Sequence, residues 1–259
     1  MRATILGCGS SGGVPMVGLG WGDCDPTEPR NRRRRASILV EQDSTTLLVD
    51  VSPDCRAQLL DAEVSRLDAV LFTHAHADHC HGIDDLRWIN ISMSAPVPTY
   101  GDAKTLGELD HRFRYAFEPL PENALREGRY FKPVLQPHTI DGSFSVGGVD
   151  VVPFEQDHGF STTLGFRFGP IAYSTDVLRL DDAAFDALAG VDTWIVDSFR
   201  REPNHPTHAD IGLTLSWIER VKPKRAVITH MGTSLDYATL RAELPDGIEP
   251  AYDGMVLEA

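Results

Sequence analysis

The segment Thr73–His79, T-H-A-H-A-D-H, places three histidines (His74, His76, His79) and one carboxylate (Asp78) within six residues. It follows the apolar run Leu67–Phe72, which reads as a buried strand. Neutral imidazole plus carboxylate is a borderline-hard ligand set suited to Zn, Mn or Fe. Burying four such groups without a cation would leave several polar groups to satisfy. Alternation along the loop points His74 and His76 one way and Asp78 and His79 another. That spread suits two adjacent metal ions better than one.

Two metals need six or seven ligands, so partners must lie elsewhere. Three residues share one context, a polar side chain at the end of an apolar strand. His158 follows Val151–Phe154, Asp176 follows I-A-Y-S-T, and His230 follows A-V-I-T. Each would reach the same sheet edge as His74. Asp176 can bridge, giving one oxygen to each cation. Two divalent cations balanced by Asp78, Asp176 and a bridging hydroxide leave the site slightly positive, so it attracts an anionic substrate. A metal pair about 3.5–4 Å apart lowers the pKa of bound water towards about 7 and stabilises both oxygens of an in-line displacement.

The 259 residues allow a sizeable core, with ordinary apolar (42%) and charged (24%) content for a soluble globular chain. The sequence has no apolar run of about eighteen residues and therefore no expected membrane span. Its start, M-R-A-T-I-L-G-C-G, runs into a strand and is too short and polar for a secretory signal, so a cytoplasmic location is expected. The net charge of -14 argues against nucleic-acid binding by bulk electrostatics. Arg30, Arg32, Arg33, Arg34 and Arg35 form a basic cluster that reads as a solvated face, with a phosphate-facing role for one or two of them as the alternative. Cys8, Cys24, Cys55 and Cys80 lack C-x-x-C spacing and read as reduced thiols.

Strands are expected at Ala3–Gly7, Ser37–Glu41, Thr46–Val51, Leu67–Thr73, Val134–His138, Val149–Phe154, Leu164–Phe168, Ile171–Ser174, Trp194–Asp197 and Ala226–Thr229, with short ones near Ile248 and Met255–Leu257. Helices are expected from a Ser52-Pro53 cap through Ala62, over His81–Asn90, Asp181–Ala189, the face Ile211/Leu215/Ile218, and Tyr237–Leu244. Residues 103–130 read as helical to irregular. The strands fall in two clusters, each followed by helices. Two stacked sheets with helices outside would bury them, giving an α/β four-layer αββα sandwich as one domain over 1–259, with loops at one edge carrying the site.

With His158, Asp176 and His230 following T-H-A-H-A-D-H in order, the chain resembles the metallo-β-lactamase superfamily along its whole length. The opening I-L-G-C-G-S-S-G-G-V-P, the strand R-R-R-A-S-I-L-V, S-P-D-C-R-A-Q-L-L and D-G-I-E-P-A-Y-D-G-M are similar to its phosphodiesterase branch, most closely the phosphoribosyl 1,2-cyclic phosphodiesterases (PhnP-like). The resemblance implies one metal on His74, His76, His158 and Asp176 and a second on Asp78, His79, Asp176 and His230, with Mn or Zn as the ions. It implies Asp78 and His208 as catalytic residues, His208 being a general acid or phosphate-binding group. Ser10, Ser11 and Gly12, with His208, are the candidate substrate-binding residues. The loop Gly9–Gly13 offers backbone N–H groups for phosphate, or is a plain tight turn.

The implied activity is hydrolysis of a small cyclic phosphodiester of the ribose 1,2-cyclic phosphate type. The implied partner is a small phosphodiester or nucleotide-like substrate, with no membrane, nucleic acid not expected, and a homodimer compatible with the family. The closest family members often carry a structural zinc near the N-terminus on several clustered cysteines plus a histidine, whereas this chain has Cys24 alone between Asp23 and Asp25. Two other readings share the motifs: a ribonuclease Z-like tRNA 3′-processing endonuclease, and a non-hydrolytic member like the pyrroloquinoline-quinone biosynthesis proteins. Against the first stands V-D-S-F at Val196–Phe199, where that family has a histidine-glutamate pair. Against the second, every ligand position is filled.

Overall fold

Several strands are apolar on both faces, and this stacks the layers. Leu47 and Val49 turn into one core with Ile38, Val40, Ala69 and Leu71. The residues between them, Leu39, Leu48, Val70 and Phe72, turn the other way into a second core beneath helices. Period-two alternation with both sets buried is what a sheet covered on each side requires.

The computed structural model describes residues 1–259, the side chain of residue 125 apart. Its first half runs β1 (Arg2–Gly7), β2 (Ser37–Gln42), β3 (Thr45–Val49), α1 (Cys55–Asp61), β4 (Ala69–Leu71), α2 (Ala77–Cys80), α3 (Leu86–Met93), β5 (Val97–Gly101), α4 (Ala103–Phe117), α5 (Glu122–Arg126) and β6 (Leu135–Thr139). There follow β7 (Phe144–Val146), β8 (Val149–Asp157), β9 (Thr162–Phe168), β10 (Ile171–Ser174), α6 (Asp182–Leu188), β11 (Thr193–Asp197), α7 (Ile211–Val221), β12 (Arg225–Thr229), α8 (Tyr237–Glu243), β13 (Ile248–Pro250) and β14 (Val256–Glu258). The strands form two sheets, ordered β14-β1-β2-β3-β4-β5-β6 and β13-β12-β11-β10-β9-β8-β7. Each sheet is antiparallel at one side and parallel at the other: β3 to β6 run parallel in the first, and β10 to β13 in the second. This is the αββα sandwich. The larger core, including Ile5, Val151, Phe166, Phe168, Tyr173 and Trp194, lies between the sheets.

Helix starts are set by aspartates. Asp102, Asp181, Asp210 and Asp236 each accept a hydrogen bond from a first-turn N–H, as N-caps worth about 1 kcal/mol apiece. The expected cap at Ser52-Pro53 is not formed. The Ser52 hydroxyl donates to Gln58 and accepts from Asp54 N–H, and α1 begins only at Cys55. The helix expected over His81–Asn90 is broken into α2, a 3-10 turn at Ile83–Asp85 and α3. Gly82 permits the break, since a Cβ there would lie 2.1 Å from the Ser52 carbonyl oxygen. Strand β5 carries Pro98 between two partners, which hid it: proline gives up a ladder donor and reads as a loop signal. No described helix is long and apolar enough to cross a membrane.

Candidate metal centre

Parallel strands end together at one edge, and the polar residues leaving them converge there. Asp50 follows β3, Thr73 and His74 follow β4, His158 follows β8, Asp176 follows β10, Asp197 ends β11 and His230 follows β12. Asp50, Asp176 and His230 have φ of 63°, 54° and 56°, so the chain turns through the left-handed region where each side chain enters the site. Such backbone costs about 1–3 kcal/mol per residue, and it concentrates where structure is held for function.

Asp176 is the hub, and its two oxygens face different neighbours. Oδ1 lies 3.9 Å from His74 Nε2, 3.7 Å from His158 Nε2 and 3.8 Å from His208 Nε2. Oδ2 lies 3.0 Å from His79 Nε2 and 3.3 Å from His230 Nε2. Asp78 Oδ2 joins the second side, 3.2 Å from His79 Nε2 and 3.8 Å from His230 Nε2. Two potential ligand groups therefore share Asp176: His74, His76 and His158 on one side, Asp78, His79 and His230 on the other.

Hydrogen bonds behind the rings fix which nitrogen faces inward. Asp50 accepts from His79 Nδ1 at 2.7 Å, from Thr73 N–H at 2.8 Å and from the Thr73 hydroxyl at 2.8 Å. That hydroxyl has spent its only proton, so it accepts from His74 Nδ1 at 2.9 Å. The Thr207 carbonyl accepts from His158 Nδ1 at 2.8 Å. Each ring thus turns Nε2 to the centre. The Nε2 atoms of His74, His79 and His230 are buried without a hydrogen-bond partner, which fits atoms placed to take a cation. His208 Nδ1 is held at 3.0 Å by Asp197, whose other oxygen lies 3.6 Å from His230 Nδ1.

Charge follows the same division. Burial drives His74 and His158 below the ordinary imidazole range, so both are neutral. Burial also opposes charge on Asp176, but His230 and His79 outweigh it and hold the carboxyl well below its usual range. Asp78 is likewise held down, burial being outweighed by His79 and His230. His230 is pushed up to about 9, because Asp176, Asp78 and Asp197 outweigh its burial, and His79 is raised for the same reason by Asp176, Asp78 and Asp50. A cation would take the place of these protons.

Residues 45–231 match the sequence profile of the beta-lactamase superfamily domain. A solved diphosphatase of the PhnP family is 34% identical, with a TM-score of 0.89, covering 100% of this chain and 97% of that one. The chain belongs to the metallo-β-lactamase superfamily, in its PhnP-like branch. An octanoyltransferase from Porphyromonas gingivalis is 32% identical over 262 residues, 98% of this chain and 51% of that protein, so the chain spans about half of its length. The Zn-bound PqqB of Methylobacterium extorquens, at 20% identity and a TM-score of 0.74 over 100% of both chains, shares the fold.

In this metallo-β-lactamase-fold chain three N–H groups of the Gly9–Gly13 loop are engaged within the fold. Gly9 N–H donates to Arg34 O, Ser10 N–H to Met231 O and Gly13 N–H to Ser10 O, leaving the N–H groups of Ser11 and Gly12. Ser10 N–H ties the loop to Met231, the residue after His230. The arginine cluster is also committed. Arg33 is buried, donating to the carbonyls of Gly232 and Leu235 and to Asn31. Arg34 and Arg35 pair with Asp61 and Asp54, while Arg30 and Arg32 lie over Tyr237 and Trp21. Cys24 donates to Thr233 O and lies 3.9 Å from Arg33, and among the described residues it joins no group of three ligating side chains. Cys80 is a buried filler whose thiol faces Ala75 O.

Asp50, Thr73, Asp197, His205 and Thr207 were not anticipated from the sequence. For Asp50 and Asp197 the signal was present: each is the acidic residue at the end of an apolar strand, the context that singled out Asp176. Thr207 acts through its backbone, which leaves no trace in residue type.

Proposed function

We propose that the protein is a dinuclear metal-dependent phosphodiesterase acting on a small cyclic phosphodiester of the ribose 1,2-cyclic phosphate type. The observation that carries this reading is Asp176, which offers one oxygen to each of two ligand groups, with His208 Nε2 3.8 Å from one of them. The donor set of imidazoles and carboxylates suits Mn or Zn. His74, His76 and His158 would hold one ion, Asp78, His79 and His230 the other, and Asp176 both. When bound, a pair of divalent cations polarises a phosphoryl group and supplies a nucleophile at neutral pH.

The chain's own groups do the rest. Asp50, Thr73 and Thr207 orient the ligand imidazoles. Asp197 fixes His208 through Nδ1, so a proton carried on Nε2 is aimed at the leaving oxygen. The net charge of -14 favours a small anionic substrate drawn by the local site over a nucleic acid gripped by the surface. Likeness to a PhnP-family diphosphatase supports a diphosphate as a second substrate, since its cleavage is the same in-line displacement.

The test is a panel of ribose 1,2-cyclic phosphate, bis-p-nitrophenyl phosphate, 2′,3′-cyclic nucleotides, a nucleoside diphosphate, tRNA precursor and a lactone, with metal content measured on the same Mn- or Zn-loaded sample. Phosphodiester turnover is expected. Asp176→Ala should lose metal and turnover together, whereas His208→Ala should keep its metal and slow by about 10²–10⁴-fold. A loaded protein that opens lactones but is inert on every phosphoester refutes the reading.

A further inference from the structure

His205 lies in the loop between β11 and α7, outside both ligand groups. Its ring sits 4.8 Å from that of Phe199 and 5.2 Å from that of His208, centroid to centroid. It is half-buried, and its ring neighbours that of His208. His208, Asp197 and His158 are all close enough to act on its charge.

The backbone of Thr207 determines its tautomer. Thr207 N–H donates to His205 Nδ1 at 3.3 Å, and the Thr207 hydroxyl lies 3.3 Å from the same nitrogen. A backbone N–H cannot accept, so Nδ1 must present its lone pair and the neutral ring carries its proton on Nε2. The Thr207 carbonyl imposes the opposite on His158, which donates from Nδ1 and keeps the Nε2 lone pair. One residue therefore sorts two imidazoles into a ligand and a donor. Its position is fixed by tight packing: a Cβ on Gly159, beside His158, would fall 2.2 Å from Pro206 O. Burial, with His208 and Arg200 nearby, lowers the His205 pKa, so the ring stays neutral at physiological pH.

We propose that His205 is a substrate-binding residue whose Nε2–H donates to a non-bridging oxygen of the bound phosphoryl group. This rests on the phosphoester reading of the site. A neutral N–H donor adds no charge to repel the cations, yet gives a charge-assisted bond to an anionic oxygen. Its hydrogen bond exists with substrate and product alike, so it governs binding more than the chemical step.

Two variants and one direct measurement test it. His205→Phe keeps a ring beside Phe199 and removes both nitrogens, while His205→Gln restores an N–H near the Nε2 position. On metal-loaded protein, His205→Phe should raise KM and the calorimetric Kd for inorganic phosphate about tenfold, leave kcat within about threefold and leave metal content unchanged. His205→Gln should recover most of that loss. Nitrogen-15 NMR of the wild-type imidazoles should find His205 protonated on Nε2. Unchanged KM and phosphate affinity in His205→Phe, a glutamine variant as impaired as the phenylalanine one, or a proton on Nδ1 each overturns the proposal. If the phenylalanine variant fails to fold, the NMR result and the glutamine variant still decide. Phosphate binding is read without turnover, so loss of the phosphoester reading would show separately, as an inert wild type.

Discussion

Replacing Asp50 by Asn should weaken the centre without touching a ligand. Asp50 is fully buried and accepts three hydrogen bonds: Oδ1 takes Thr73 N–H, and Oδ2 takes both the Thr73 hydroxyl and His79 Nδ1. An asparagine has one acceptor oxygen, and neither orientation restores the pattern. With oxygen in the Oδ2 position, the amide NH₂ faces the Thr73 N–H, leaving a buried donor unsatisfied at about 1–3 kcal/mol. With oxygen in the Oδ1 position, the NH₂ faces His79 Nδ1 and drives that ring to its Nε2–H tautomer, which cannot ligate. The Thr73 hydroxyl then loses its acceptor and turns its proton on His74 Nδ1, disturbing a ligand on the other side too.

The lost negative charge adds to either cost. Metal affinity should fall about 10–100-fold, the usual effect of removing a group that orients a ligand. Competition with a chromophoric chelator at fixed pH measures this, and the thermal midpoint of the metal-free protein reports the cost to folding. Affinity within threefold of wild type, with the asparagine variant folded, would refute the claim that Asp50 sets the ring tautomers.

Two further outcomes follow from charge. Because His230 is pushed up to about 9 by Asp176, Asp78 and Asp197, it holds a proton at neutral pH that a cation must displace. Metal binding should therefore strengthen as pH rises from 7 to 9, by up to about tenfold per unit for each proton released, measured by chelator competition across that range; a flat profile would contradict the assignment. Asp253 is pushed up to about 6 by burial, although it accepts from Arg34 N–H and Cys8 N–H. A raised carboxyl pKa contributes stability that is complete below the unfolded value near 4 and lost as pH passes 6. Asp253→Asn should remove this slope, worth roughly 3 kcal/mol at most, and denaturant titrations at pH 4.5 and 7.5 would reveal it.

Short-range pattern carried much of this protein into view. Residue type and spacing put His74, His76, Asp78 and His79 on one loop, because a strand and the turn after it are local. His158, Asp176 and His230 were legible for a related reason: a polar side chain closing an apolar run has nowhere to go but a strand end. The continuous apolar runs Ile38–Val40 and Leu47–Val49 belong to a sheet buried on both faces, where neighbouring side chains enter opposite cores. Pattern misled where one residue has two uses, as with Pro98 inside β5 and Ser52 beside α1.

Only the tertiary structure decided how these groups face each other. The split of Asp176 oxygens between two histidine sets depends on strands from both halves of the chain ending at one edge. So do the tautomers. Asp50 lies 29 residues from His79, and Thr207 lies 49 from His158, yet these contacts choose which ring nitrogen is free. In the basic run Arg30–Arg35, a solvated face by composition, Arg30 and Arg32 stay exposed, whereas Arg33 is buried because the chain folds back over the loop after His230. Residue type determines which atoms are able to bind a cation or carry a proton. Which of them do is settled by hydrogen-bond partners distant in sequence, and those exist only once the sheets are stacked.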